Sequence, residues 1–573
     1  MTQKHIYDVL IIGAGGAGLF SGILAAEKGL KVAIISKVHP LKSHTIAAQG
    51  GINASLGNIS KDDWKWHAYD TSKAACGLGD QDSVEYMCKS APYLIKLLSC
   101  MGVEFDQTKD GLIDQRVYGG QSTNFGSGEL AHRACFSKDR TGHNILHKLY
   151  EKACDLKVKF YKFYFALDLL LNKNKCYGVF CWNIEEGKMH SIFAKNIIIA
   201  SGGGSQVYAT STSASLCTGD GNGIAIRSKL PLQDMEFIQF HPTAINKLGV
   251  LVTEAARSAG GILLNSRNER FMQNYDAKFK ELATRDVVAR AIAKEINEGR
   301  GTGPNKDHVL LDLTHLSIDY IKTNLPTIYE NCHHFLKIDP STTPIPISPA
   351  AHYSMGGIPT NSRCQVINFT EDQDQIIEGL YAIGEAASTS VHGAGRLGCN
   401  SLLDLIAFGY KVVNTIREES KIEQYHDKQD KTTIQLKNYW LKKFHNESGN
   451  ILKLNQKLKE TTSKYVGIFR SGTCLLRALQ ELQQIELSYN KLGISDKSLK
   501  WNLDFQHYIE LGNLIVSAKA IISSAVWRCE SRGAHWRIDY PTKNDQKFLY
   551  HTIYTTTKNG SVIKKRKVRR VSD

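Results

Sequence analysis

The chain has 573 residues, enough for several domains, and its 22 % charged and 42 % apolar residues are ordinary globular usage. A net charge of +15 would suit nucleic acid or an anionic surface, but part of the excess sits in one run, Lys564–Arg570 (KKRKVRR), without the interleaved aromatics that stack on bases. Thirteen scattered cysteines contain no CxxC spacing, which excludes a zinc ribbon or an iron–sulfur ligand set and fits a reducing compartment.

The first element is Tyr7–Ile12 (YDVLII), a buried-strand pattern. GAGGAG follows, in which Gly13, Gly15 and Gly18 make GxGxxG around Ala14, Gly16 and Ala17. A helical run, Leu19–Lys28, then closes at Gly29, and Lys31–Ser36 (KVAIIS) is the next strand. This strand–turn–helix–strand order is what a dinucleotide site requires: the glycines allow a tight turn and let a pyrophosphate approach the helix N-terminus. The acid that usually ends the second strand is replaced by Ser36 and Lys37, which disfavours a simple NAD site and puts a cation beside phosphate. Val9–Ala26 is too rich in glycine for a membrane span and has the wrong flanks for a signal peptide, so no transmembrane segment is expected.

Three later segments repeat the pattern of an apolar strand or loop running into glycines. Asn196–Gly204 reads NIIIASGGG, and Thr218–Gly223 reads TGDGNG with Asp220 at its centre. Leu380–Ile383 runs into Gly384 and Glu385, and Glu385 is a candidate for the ribose carboxylate missing earlier. A helix opening near Ser401 and Leu402 would aim its positive end at an electron-rich ring edge. One α/β cofactor domain, split by a long insertion, accounts for all four segments. Helical spacing in NYWLKKF, LLRALQELQQIEL and YIELGNLIVSAKAIISSAV predicts a helical domain, and the basic run reads as a charged final strand or frayed end.

Several motifs occur together in one order: SHTIAAQGG (Ser43–Gly51), DRTGH (Asp139–His143), QFHPT (Gln239–Thr243), LVTEAAR (Leu251–Arg257), RDVVAR (Arg285–Arg290), HYSMGG (His352–Gly357), GEAA and RLGCNSLLD. In this the chain, from Tyr7 to at least Asp539, resembles the succinate dehydrogenase flavoprotein family. HAYDT (His67–Thr71) and LGDQD (Leu78–Asp82) lean toward succinate dehydrogenases rather than their fumarate reductase relatives.

The resemblance implies a Rossmann-like FAD-binding domain (1–237 and 356–417) split by an α+β capping domain (238–355), then a helical domain (418–529) and a short C-terminal region (530–573). It implies FAD joined covalently to His44, with Ser43, Thr45, Gln49, Gly50 and Gly51 around the attachment. Such a link raises the flavin potential, and each ~30 mV is worth about 1.4 kcal/mol for a two-electron couple. By the same resemblance His241, Thr253, His352 and Arg396 bind the carboxylates of succinate or fumarate. Arg285 takes a proton, which Glu254 and Arg257 pass on, although a guanidinium is ordinarily no base.

Electrons would leave through a separate iron–sulfur subunit on membrane anchor subunits, and an assembly factor would attach the flavin. The chain would lie peripherally on the cytoplasmic face of a bacterial inner membrane or the matrix face of the mitochondrial one. Fumarate reduction is the nearest alternative, because identical residues serve both directions. A catalytically weakened assembly scaffold is the other, because the shell departs from the family at Ser205, Ala256–Gly261 (ARSAGG), Gly395 and Cys399.

Overall fold

The computed structural model describes residues 6–419, 431–557 and 560–570; residues 1–5, 420–430 of the expected helical domain, 558–559 and 571–573 lie outside that description. Strand Ile6–Ile12 lies inside an eight-stranded sheet. It pairs in parallel with Val32–Ser36 on one side and Lys188–Ile199 on the other. The returning strand Gln373–Ala382 pairs in parallel with Lys188–Ile199. Strands covered on both faces need continuous apolar runs, and Val9–Ile11 and Ile197–Ile199 expose no surface.

Register then positions the loops. Ile12 pairs with Ile35 and Ile199, and Ile199 pairs with Ala382, so the strands end level. The loops starting at Gly13, Ala200 and Ile383 therefore leave the carboxyl edge side by side, where open α/β sheets bind ligands. Helices Gly16–Glu27 and Asn400–Glu419 pack so closely that a Cβ on Gly409 would meet the Phe20 ring at 3.1 Å.

Ile238–Ile245, Ile345–Ser354, Val309–Asp312 and Ile262–Leu264 form a four-stranded antiparallel sheet over a core that includes Phe271, Val288, Leu311 and Ile347. Pro242 cannot donate to the ladder, and the register shifts between His241 and Ala244. That irregularity lets His241 face the cleft described below.

Helices Ile451–Tyr465, Gly472–Lys491 and Leu503–Trp527 start at side-chain caps: Asn450, Ser471 and Asn502 accept from the N–H groups of Lys453, Cys474 and Phe505. The sequence reading expected no segment able to span a membrane, yet Leu503–Trp527 is long and apolar enough. The reason is packing: its apolar window is 67 % buried within the fold. Its Asn513 donates to Asp220 at 2.9 Å, and its Ser517 accepts from Asn222 at 3.1 Å, which ties the helix to the cofactor side.

The basic run is taken up by a hairpin of Tyr550–Thr557 and Gly560–Lys567, with Leu232–Gln233 as the third strand. Arg566 is 4 % exposed and pairs with Asp374 at 2.6 Å. His551 lies between Asp234 at 2.6 Å and Asp80 at 3.2 Å, with Arg566 and Arg569 also facing Asp80. Burial opposes its charge, but the two carboxylates prevail and raise its pKa to about 9. A raised folded-state pKa gives stability that is complete below the unfolded value of 6.5 and is lost as pH rises through about 9. His551→Gln is therefore expected to lower stability most near pH 6 and to flatten the fall in stability between about pH 6.5 and 9, as measured by denaturant unfolding across that range.

Candidate active site

Gly13, at φ +110°, starts the nucleotide-binding turn, where a Cβ would fall 2.2 Å from the Ala200 carbonyl oxygen. Gly18 lies behind it: a Cβ there would sit 1.9 Å from the Gly13 oxygen, so this glycine permits the helix to press on the strand. Gly15 is the N-cap of helix Gly16–Glu27 and supplies no side-chain cap; the Gly16 N–H instead donates to Thr45 Oγ1 at 3.0 Å. The helix end faces an extended cleft that runs from the glycine turn to Arg396.

Gly13, Ala14, Gly15, Gly16, Ala17, Ser36, Lys37, Ser43, His44, Thr45, Gln49, Gly50, Gly51, Asp220, Glu385, Ser401 and Leu402 all line this cleft. Ser43 Oγ, Gln49 Oε1 and Ser201 Oγ are buried there without a protein partner, as a polar ligand would require. An elongated cleft, a glycine turn under a helix N-terminus and unpartnered polar atoms fit FAD.

Lys37 is not free to hold phosphate alone. Its Nζ lies 2.8 Å from Asp220, 2.7 Å from Glu510 and 2.8 Å from the Thr218 hydroxyl. Glu510 comes from the far helix Leu503–Trp527, a partner that no local motif announces. Glu385 accepts from the Ser354 N–H at 3.0 Å, and burial pushes its pKa up to about 7. His44 opens a short helical turn, His44–Ala47, and its Nδ1 accepts from the Ala214 N–H at 3.2 Å. Burial, then the nearby Arg396, lowers its pKa to about 4, so the ring is neutral and turns Nε2 away from that bond.

At the other end the cleft is lined by His241, Thr253, Arg285, His352 and Arg396. Arg396 stacks over Tyr353 at 4.5 Å and donates to Gln239 Oε1 at 3.0 Å, but its Nε has no protein partner. Burial and then Arg285 lower its pKa to about 10, the mark of a cation held without enough negative charge. The rings of His241 and His352 meet edge to face, 5.0 Å apart, and both pKa values lie well below the usual histidine range, through burial and neighbouring arginines. Arg285 Nη1 approaches His352 Nε2 at 3.4 Å.

Glu254 and Arg257 do not line the cleft; they stand behind Arg285. Arg285 Nε donates to Glu254 Oε2 at 2.9 Å, the Gly119 N–H donates to Oε1 at 3.0 Å, and Arg257 Nη2 lies 3.6 Å from Oε2. Burial opposes ionisation of Glu254, but Arg257 and Arg285 outweigh it and hold the carboxyl below its usual range. The result is a buried line of cation, anion and cation leading away from the cleft.

Sequence reasoning missed several supports. Gln239 and Tyr353 lie inside the quoted motifs QFHPT and HYSMGG, and their nearness to a histidine was the available signal. Tyr118, whose hydroxyl donates to the Gly50 oxygen at 2.6 Å, and Thr212, 2.7 Å from His352 Nδ1, sit in stretches with no periodic or charge signal.

Residues 8–402 match the family model described as FAD binding domain, and residues 455–571 match that described as fumarate reductase flavoprotein C-term. The succinate dehydrogenase flavoprotein subunit of Rickettsia conorii is 47 % identical over 562 residues, covering 98 % of this chain and 94 % of the relative. The chain belongs to the succinate dehydrogenase and fumarate reductase flavoprotein family. The mitochondrial succinate dehydrogenase (ubiquinone) flavoprotein subunit of Oryza sativa is 45 % identical, covering 96 % and 88 % of the two chains. A structure of E. coli quinol fumarate reductase superposes with a TM-score of 0.92 at 32 % identity, covering 100 % of this chain and 98 % of that one.

Local packing holds three of these shell positions. A Cβ on Gly395 would fall 2.7 Å from the Ala74 oxygen, so this backbone path has no room for a side chain. Cys399 is buried at φ +64° against Tyr118 and Ala134, a left-handed conformation uncommon for a residue with a Cβ. Ser205 is buried, with its hydroxyl donating to Ser213 at 2.6 Å.

Proposed function

We propose that the chain is the catalytic flavoprotein subunit of a quinone-linked succinate dehydrogenase, oxidising succinate to fumarate with FAD attached through His44 Nε2. The observation that carries this reading is Arg396, a buried cation with an unpartnered Nε beside Arg285, His241, His352 and Thr253 in one cleft. A small dianion supplies the missing charge, and a planar guanidinium holds a carboxylate in a forked pair. FAD, when bound, supplies the acceptor for the hydride leaving one methylene.

The side chains do the remaining work. Arg396, His241, Thr253 and His352 hold the two carboxylates between them, so the four-carbon chain is fixed across the cleft. The ionised Glu254 accepts a proton from the Arg285 guanidinium across the 2.9 Å contact as Arg285 accepts one from the second methylene, and Arg257, 3.6 Å from Glu254, leads the proton onward. The antiparallel sheet of 238–354 supplies His241 and His352 to this end, where burial strengthens each charge interaction. His44 Nδ1 is engaged by Ala214, which leaves Nε2 to carry the flavin.

The electrons continue to an iron–sulfur subunit and membrane anchor subunits that reduce quinone, and an assembly factor installs the flavin. The complex places this chain peripherally at the membrane, on the cytoplasmic or matrix side. The close superposition on a quinol fumarate reductase supports a second reading, the same chemistry in reverse.

The test uses the chain expressed with its companion subunits. Acid-precipitated protein should retain flavin fluorescence on the polypeptide, and succinate should reduce an artificial dye. His44→Ser should keep FAD in exchangeable form and lose succinate oxidation more than fumarate reduction, because only oxidation needs the raised potential. Equal losses in both directions would count against the redox argument, and no dye reduction by the wild type would overturn the assignment.

A further inference from the structure

The two cleft histidines bind a carboxylate only through an N–H, and each neutral ring has one. For His241 the local contacts fit either tautomer: the Thr243 N–H, a donor, and the Thr243 carbonyl oxygen, an acceptor, both lie 3.2 Å from Nδ1. His352 has no backbone donor on Nδ1; its partner is the Thr212 hydroxyl at 2.7 Å, which can donate or accept.

We propose that Thr212 is a positioning residue that donates its hydroxyl proton to His352 Nδ1 and so presents Nε2–H to the carboxylate of the bound dianion. The inference deepens the reading above and rests on it. One comparison of distances supports the direction, and the Arg285 contact fits it once a carboxylate lies between the two donors. The other acceptor open to the Thr212 hydroxyl, the Ala351 carbonyl, is 3.4 Å away, a far weaker bond than the one at 2.7 Å. On the opposite edge, His352 Nε2 and Arg285 Nη1 face each other across 3.4 Å. With the proton on Nε2 both are donors, and a carboxylate oxygen accepts from both at once. Without substrate the hydroxyl can reverse and let Nε2 accept from Arg285. The Thr212 backbone holds its place independently, its N–H donating to the Ala351 oxygen at 2.9 Å. Ser213 Oγ also donates to the His352 carbonyl at 3.2 Å, so the loop is anchored on both sides of the hydroxyl.

Thr212→Val keeps the shape and the backbone bond but removes the donor. The expected result is a KM for succinate about tenfold higher at pH 8, with kcat within about twofold of the wild type, and restoration by Thr212→Ser. Burial, then His241, Arg396, Arg285 and His44, hold the His352 pKa well below the usual histidine range, so the ring stays neutral and the defect should keep its size between pH 6 and 8. A merely structural role would lower kcat together with the rise in KM and would not be rescued by a serine hydroxyl. An unchanged KM in Thr212→Val, an equal loss in kcat or failure of the serine variant overturns the inference while wild-type succinate turnover stands. Absence of that turnover removes the functional reading and this one together.

Discussion

Arg285→Gln is expected to lower kcat for succinate by about 10²- to 10⁴-fold, the usual contribution of a positioned proton-transfer group. Arg285 sits at the first helical position of Arg285–Asn297, and its Nε is fixed by Glu254 at 2.9 Å. Glutamine keeps hydrogen-bonding capacity but cannot take a proton. Dicarboxylate binding should persist, because Arg396, His241 and Thr253 are untouched, so an inhibitor such as malonate should still perturb the flavin absorbance. Arg285→Lys should recover little, since a shorter point charge cannot reach both the cleft and Glu254 in the same fork. Steady-state dye reduction and inhibitor titration separate the two effects. Turnover within tenfold of the wild type would remove Arg285 from the proton route.

Arg528→Ala is expected to destabilise the protein by about 3–5 kcal/mol, the cost of breaking a buried ion pair on one side. Arg528 is fully buried, pairs with Glu236 at 2.6 Å and Glu530 at 2.9 Å, and donates to the carbonyls of Phe548 and Tyr550. Its removal leaves Glu236 buried without its paired guanidinium and takes one donor from each of two carbonyls. Glu530 keeps Arg532 at 2.7 Å, so the damage centres on Glu236. The C-terminal hairpin should open first, giving early proteolysis near Tyr550 and a lower midpoint in denaturant at unchanged slope. A loss below about 1 kcal/mol would show that water reaches this network.

The nucleotide end of the site was readable because its physics is local. A glycine turn, an apolar strand and a helix start are adjacent in the chain, and Gly13, Gly15 and Gly18 are required by backbone clearance alone. The histidines and arginines of the substrate end carried no such local warrant. Only their co-occurrence in a family pattern singled out His241, His352, Arg285 and Arg396 from other polar residues. Supports such as Gln239, Tyr353 and Glu510 act through contacts spanning 157, 43 and 473 residues along the chain, to Arg396, Arg396 and Lys37, which no short window records. The helix Leu503–Trp527 shows the same limit: composition marks it as able to span a membrane, and only its neighbours show it covered by protein.

The amino-acid sequence by itself determined the split α/β cofactor domain, the dinucleotide turn and the family motifs, because apolar periodicity and glycine clearance act over a few residues. Tertiary structure alone decided which charges are compensated: Lys37 by Asp220 and Glu510, His551 by two aspartates, Arg285 by Glu254, and Arg396 only in part. The physical reason is that burial sets the strength of an electrostatic interaction, and burial is a property of the packed chain.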